Sequence, residues 1–241
     1  MSLIMSNLHA LDAWAIPKRC FIPPENPPRA FLRASQFPDP RFGVLFDKDL
    51  KSAAICVKER GLSVLSKAKK PAWIAGGAIR SIIANDGSTD LDCYFSDIGD
   101  VEETKNYILS KNCLKAKIIV DDLYLISFET SIGKIDLIKK TYSNSIECIK
   151  EFDFTVCCFA VDTNNYVAWH REALEHIKSR KLVINHITCP FSTMLRLQKY
   201  VKKGYCMDLE NSNKLAWAIK ENNWNNTLNK LAKRGSIDSS A

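Results

Sequence analysis

The feature that most constrains the fold is a Gly-Gly break, Gly76-Gly77, set between two apolar segments of different period. Before it, Ala72 to Ala75 is a short continuous apolar run that reads as a buried strand. After it, AIRSIIAND restarts at helical spacing and ends at Gly87. A strand that hands over to a helix through two residues without side chains lets backbone amides approach a ligand. The helix start adds a partial positive charge there, and Arg80 a full one, so a phosphate is the natural occupant.

The chain that follows predicts a strand at TDLDCYFS, a helix near Val101 to Leu109 and a strand at KAKIIVDD. A strand pair, LYLISFET and KIDLIKK, turns at Ser131 to Gly133. Strands interleaved with helices over 72–140 predict a small mixed α/β sheet, an α+β head. Upstream, apolar residues at helical spacing predict a helix from Lys48 to about Lys69. Seven of the nine prolines fall within the first 40 residues, a density that excludes long helices and sheet interiors and predicts an extended arm over 1–45. The head is expected over 46–150. Beyond it, DFTVCCFAVD and YVAWH are apolar segments, and REALEHIKSR, FSTMLRLQKYVKKG and two further stretches from Leu209 are helical. A helical neck and C-terminal region is expected over 151–234, with a flexible tail over 235–241.

Two carboxylates carry the chemistry. Asp90 and Asp92 are residues i and i+2 of a strand and so share a face, where two like charges call for a cation. Hard divalent ions, magnesium or manganese, prefer such oxygens and commonly keep phosphate oxygens as their other ligands. Asp136 lies between the apolar Ile135 and Leu137 on a later strand and would also project to one face. Three convergent acids can hold two metal ions, one to activate an attacking hydroxyl and one to bind a triphosphate.

The order Gly-Gly-x-x-Arg, strand D-x-D, later strand Asp resembles the nucleotidyltransferase superfamily that includes DNA polymerase β. Within it, the match is to the head-and-neck branch of bacterial poly(A) polymerases and class II tRNA CCA-adding enzymes, in a minimal form. DFTVCCFAVD at 153–162 is similar to the segment that follows the head in that branch, and KLVINH, Pro190 and MLRLQKYVKKGY to its neck. The sequence departs from the branch pattern at Ser81, Phe152, Cys157, Cys158 and Ser192-Thr193.

The resemblance implies an enzyme that transfers a nucleoside monophosphate from a nucleoside triphosphate to an acceptor hydroxyl. It implies Asp90, Asp92 and Asp136 as catalytic, metal-holding residues, with magnesium or manganese as cofactor. Gly76, Gly77 and Arg80 would hold the triphosphate, and Asp153, Arg196 and Lys199 would contact the nucleotide. The implied acceptor is an RNA 3′ end. The alternatives are a protein acceptor and a non-catalytic RNA-binding module of the same fold.

Composition agrees with these classes without choosing among them. At 241 residues, 46% hydrophobic and 25% charged, the chain reads as globular, not disordered, collagenous or coiled-coil. A net charge of +7 permits a polyanionic partner such as RNA. Lys199, Lys202, Lys203, Lys214, Lys220, Lys230, Lys233 and Arg234 could supply the grip, with Tyr200, Tyr205, Trp217 and Trp224 for stacking. Equally, these lysines could be solvated helix faces and the aromatic residues core. No apolar run approaches the roughly 18 residues of a membrane span, so no membrane partner is expected. The nine cysteines include no C-x-x-C pair and the four histidines form no cluster with them, which predicts reduced thiols in a cytoplasmic setting.

Overall fold

Period-two alternation builds the centre of the sheet. Strand β3 (Leu91–Phe95) buries Leu91, Cys93 and Phe95 on one face and turns Asp92 and Tyr94 to the other. The computed structural model describes residues 39–44, 64–86, 90–163 and 167–221. Every described residue belongs to one compact unit. The proline-rich arm up to residue 38, most of the helix expected at Lys48 to Lys69, and the tail lie outside the described residues. So do Trp224, Lys230, Lys233 and Arg234.

The other strands are β1 (Phe42–Val44), β2 (Ala72–Ala75), β4 (Lys117–Asp121), β5 (Leu125–Thr130), β6 (Gly133–Thr141), β7 (Phe159–Asp162) and β8 (Val167–His170). They form one sheet in the order β1-β8-β7-β2-β3-β6-β5-β4. Every pairing is antiparallel except β3 with β6, which run parallel. The sheet is therefore mixed, as the interleaved pattern predicts. Because β7 and β8 pair into it, the sheet continues past the boundary expected at residue 150.

The described residues also form helices α1 (Gly77–Ala84), α2 (Ile98–Ser110), α3 (Ser145–Lys150), α4 (Ala173–Lys178), α5 (Pro190–Val201) and α6 (Leu209–Glu221). The larger core lies on the face of β3 that carries Leu91, Cys93 and Phe95, with Ile74, Ile79, Val101, Ile135, Leu137 and Phe159. A smaller cluster on the opposite face joins Trp73, Ala75, Ala160 and Ala168 to Ile146, Cys148 and Ile149 of the α3 region, with Tyr94 and Phe152 packed against it. Strand β2 serves both clusters and is buried along its whole length. The face with the smaller cluster keeps its polar residues toward β3 and β6, and that is where the acids stand.

Local signals stop and start these elements as polar side chains permit. Asp97 caps α2 by accepting from the Gly99 amide at 2.8 Å, and Asn144 caps α3 by accepting from the Glu147 amide at 3.0 Å. Proline at the first position of α5 gives up an amide that has no helical partner there.

Candidate active site

Strand register brings the acids together. In the parallel pair, Leu91 stands beside Ile135 and Asp92 beside Asp136. Asp90, the residue before β3, is close enough for its charge to act on both Asp92 and Lys134. Three carboxylates and one ammonium thus gather where β3 and β6 run side by side. Asp136 is buried, 8% exposed as a residue, and its carboxylate accepts from Ser127 Oγ at 2.5 Å on the other neighbouring strand, β5. Its second oxygen pairs with Lys134 Nζ at 3.1 Å.

Crowding dominates the electrostatics. Burial, followed by the charges of Asp136 and Asp90, pushes the Asp92 carboxyl up to about 7, against the opposing fields of Lys134 and Lys199. Burial works against the Lys134 charge as well, but Asp136, with Asp90 and Asp92 beyond it, holds its pKa above the usual lysine value. Burial raises the Tyr94 hydroxyl well above its usual range, and Asp92 adds to that.

A folding penalty follows with a definite sign. Since the folded chain holds the Asp92 proton more tightly than the unfolded chain, the cost of ionising Asp92 is absent below the ordinary carboxylate range and grows as pH rises towards 7. Without divalent metal, Asp92→Asn is therefore expected to exceed the unaltered chain in thermal midpoint by clearly more at pH 8 than at pH 4.5. A midpoint difference that does not change with pH would contradict the crowding.

The Gly-Gly turn sits on the same spot. Gly76 precedes α1 with φ +88° and ψ −136°, a conformation open to glycine and strained for other residues. Its amide donates to the Phe159 carbonyl at 2.9 Å, and a Cβ placed on it would lie 3.4 Å from Asp92 Oδ2. That distance is ordinary contact, so strain rather than collision decides a substitution here. Gly76→Ala is expected to cost about 1–3 kcal/mol of folding free energy in urea titrations. A Cβ on Gly77 would meet nothing within 4 Å, so the space over the start of α1 is open.

Arg80 goes elsewhere. Its guanidinium, 2% exposed, pairs with Asp86 just beyond α1, donates to Ser81 Oγ at 2.9 Å, and lies 5.2 Å from the Tyr200 ring centroid and 5.9 Å from that of Tyr205. Ser81 Oγ in turn donates to the Gly77 carbonyl at 2.7 Å. Asp86 also receives Arg180 at 3.4 Å and Lys203 at 3.2 Å. Arg80 therefore fastens α1 to the neck and is not turned towards the acids. Tyr200 and Tyr205 are 7% and 1% exposed, so they are core and not stacking platforms; Trp217, 59% exposed, is the surface aromatic residue among the described neck residues.

Asp153 and Arg196 meet each other. The Asp153 carboxylate is buried and paired with Arg196, whose side chain is 58% exposed. The Asp153 carbonyl accepts from the Asn185 amide at 2.8 Å, and Asn185 Nδ2 reaches the Lys150 and Phe152 carbonyls at 2.9 Å each. This stitches the end of α3 to the segment that leads into α5. Arg196 is close enough to Tyr94 to act on its hydroxyl, and Lys199, exposed one turn further along α5, acts on Asp92.

Among the described residues, no three His, Cys, Asp or Glu side chains stand in an arrangement that could hold a metal ion as they are. The donor set nevertheless suits a hard cation: all its ligands are carboxylate oxygens, and Asp92 carries an ionisation cost that a cation would relieve. Ser127, Lys134, Asp86 and Tyr94 are the site neighbours that sequence reading passed over. A period-two signal, Lys134 two residues before Asp136 and Tyr94 two after Asp92, was available for two of them.

Comparison with known proteins decides the family. The sequence profile of the Gabija anti-defense 2 family matches residues 45–180, more than half of the chain and the whole region that carries Gly76, Asp92 and Asp136. The chain belongs to the Gabija anti-defense 2 family. Gabija anti-defense 2 of Bacillus phage SPbetaL7 is 32% identical over 148 residues, which are 57% of this chain and 34% of that protein. The chain thus spans about a third of the length of that curated relative.

Among solved structures, a CCA-adding enzyme in complex with CTP superposes with a TM-score of 0.53 at 16% identity, covering 75% of this chain and 47% of that one. The Thermotoga maritima CCA-adding enzyme complexed with tRNA gives 0.50 at 16% identity, covering 75% and 46%. At this identity the likeness concerns the fold. This Gabija anti-defense 2 family chain has a nucleotidyltransferase fold, and its described residues include no helix long and apolar enough to cross a membrane.

Proposed function

We propose that the chain is a metal-dependent nucleotidyltransferase that moves a nucleoside monophosphate from a nucleoside triphosphate to an acceptor hydroxyl. The observation that carries this reading is the pairing of Asp92 with Asp136 on parallel strands, directly under the Gly76 turn, on a nucleotidyltransferase fold.

The bond formed joins the acceptor oxygen to the α-phosphorus; the bonds broken are the acceptor O–H, whose proton passes to solvent, and that from the α-phosphorus to the bridging oxygen, so that pyrophosphate leaves with the electron pair. Asp90, Asp92 and Asp136 would hold magnesium or manganese, which supplies charge neutralisation for the triphosphate and acidifies the attacking hydroxyl. The open space beside Gly77 receives the phosphates against the start of α1. Lys199, whose charge acts on Asp92, would balance phosphate charge. Arg196, held by Asp153, reaches the base or sugar with its exposed guanidinium. Arg80 acts from beneath, fixing α1 to the neck and so the height of the Gly-Gly turn above Asp92.

An RNA 3′ end is the acceptor that this reading favours. The solved neighbours include a tRNA complex, and the neck presents Lys199, Lys202 and Trp217 at its surface. Membership of the Gabija anti-defense 2 family favours a second acceptor, a hydroxyl on a protein component of that defence. Incubation with α-phosphate-labelled ATP and CTP, with RNA in one tube and proteins of Gabija-carrying cells in another, separates the two. Label on RNA supports the first acceptor and label on a protein band the second. Label on neither, with pyrophosphate production also absent, overturns the enzyme reading.

A further inference from the structure

Among the described residues, Lys134 is the one cation built into the carboxylate block itself. It lies on β6 two residues before Asp136, on the same face, and its Nζ stands 3.1 Å from Asp136 Oδ2. The ammonium thus has a carboxylate along its own strand, and the charges of Asp90 and Asp92 on the β3 side act on it as well. Its side chain is 43% exposed and can swing away, whereas that of Asp136 is 11% exposed and fixed from the other side by Ser127 Oγ at 2.5 Å. The buried partner is thus the acid, and the more exposed one is the ammonium. Asp136 has its two oxygens engaged by protein donors, one on each.

We propose that Lys134 is the resident cation of the site, occupying with its ammonium the place at Asp136 that one of two divalent ions would otherwise take. Without nucleotide, Asp90 and Asp92 alone are then left to attract a divalent ion, and they do so weakly. An ion that recruits Asp136 must first displace Lys134. This rests on the carboxylate cluster being a metal site, the assignment made for the proposed function, and it adds a built-in competitor for that metal.

The test is manganese binding by the full chain without nucleotide, counted from the electron paramagnetic resonance signal of free Mn2+. Lys134→Met is expected to bind Mn2+ about tenfold more tightly than the unaltered chain, the size of effect for removing one charge a few ångströms away at a partly exposed site. Lys134→Arg, which keeps the cation, is expected to bind as the unaltered chain does. Lys139→Met removes a lysine from the same strand that pairs instead with Asp121, and is expected to change little. Equal affinity in the Lys134→Met variant and the unaltered chain overturns the proposal, as does an equal gain from Lys139→Met, which would mark a general field effect. Mn2+ binding with the expected dependence on Lys134 in a chain that transfers no nucleotide would remove the functional reading and leave this one standing.

Discussion

Asp92→Asn is expected to lower nucleotidyl transfer by about 10³-fold or more, the loss typical when a preorganised charge at the reacting phosphate is removed. It should do so in a chain that stays folded. The neutral amide keeps the shape of the side chain while removing one member of a crowded trio whose mutual repulsion, added to burial, raises the Asp92 pKa to about 7. Lost activity combined with a raised thermal midpoint at pH 8 is the signature of a residue kept for function at the expense of stability. Loss of both together would point instead to a structural carboxylate. The measurement is label transfer and thermal unfolding on one preparation.

Asp86→Ala is expected to have the largest effect on stability, about 3–5 kcal/mol, because it leaves a buried guanidinium without its counter-charge. Arg80 is 2% exposed, and Asp86 is its only carboxylate partner among the described residues. Arg180 and Lys203 converge on the same carboxylate, so three cations would then face one another with no acid among them. Urea titration reads the loss directly. Arg180→Met, by contrast, removes an interaction at 3.4 Å from a side chain 38% exposed, and should cost about 1 kcal/mol or less. If Asp86→Ala unfolds no earlier than Arg180→Met, the fastening role given to Arg80 fails. If Asp86→Ala also impairs transfer at temperatures where it is folded, the link from Arg80 through α1 to the Gly-Gly turn gains support.

Much of this site could be read from residue order. Alternation around Asp92 and Asp136 announces that both point away from the core, and the Gly-Gly step announces the strand-to-helix corner beside them. What residue order leaves open is direction on a helix and register between strands. Arg80, the fourth residue of α1, could face the phosphates or the neck; burial against Tyr200 and Tyr205 decides for the neck. Tyr200 and Tyr205 lie in a lysine-rich stretch that suggests a nucleic-acid surface, yet the stretch is amphipathic and both rings fall on its buried side. Ser127 carries no local signal, since it reaches Asp136 through the pairing of β5 with β6. The same limit applies to β7 and β8. Their apolar character is plain, but not that they extend the sheet beyond β2 and make head and neck share one core.

Everything proposed for the acids turns on where a divalent ion and a triphosphate bind. A crystal structure of the chain with Mn2+ and an α,β-methylene nucleoside triphosphate, with Mn2+ located by its anomalous scattering, tests this most directly. The predicted result is an Mn2+ peak bonded to the Asp90 and Asp92 carboxylates and to phosphate oxygens, with the phosphates over Gly76-Gly77 and Lys199 turned towards them. Nucleotide bound away from β3, or Mn2+ absent from Asp90 and Asp92 with nucleotide present, would contradict it.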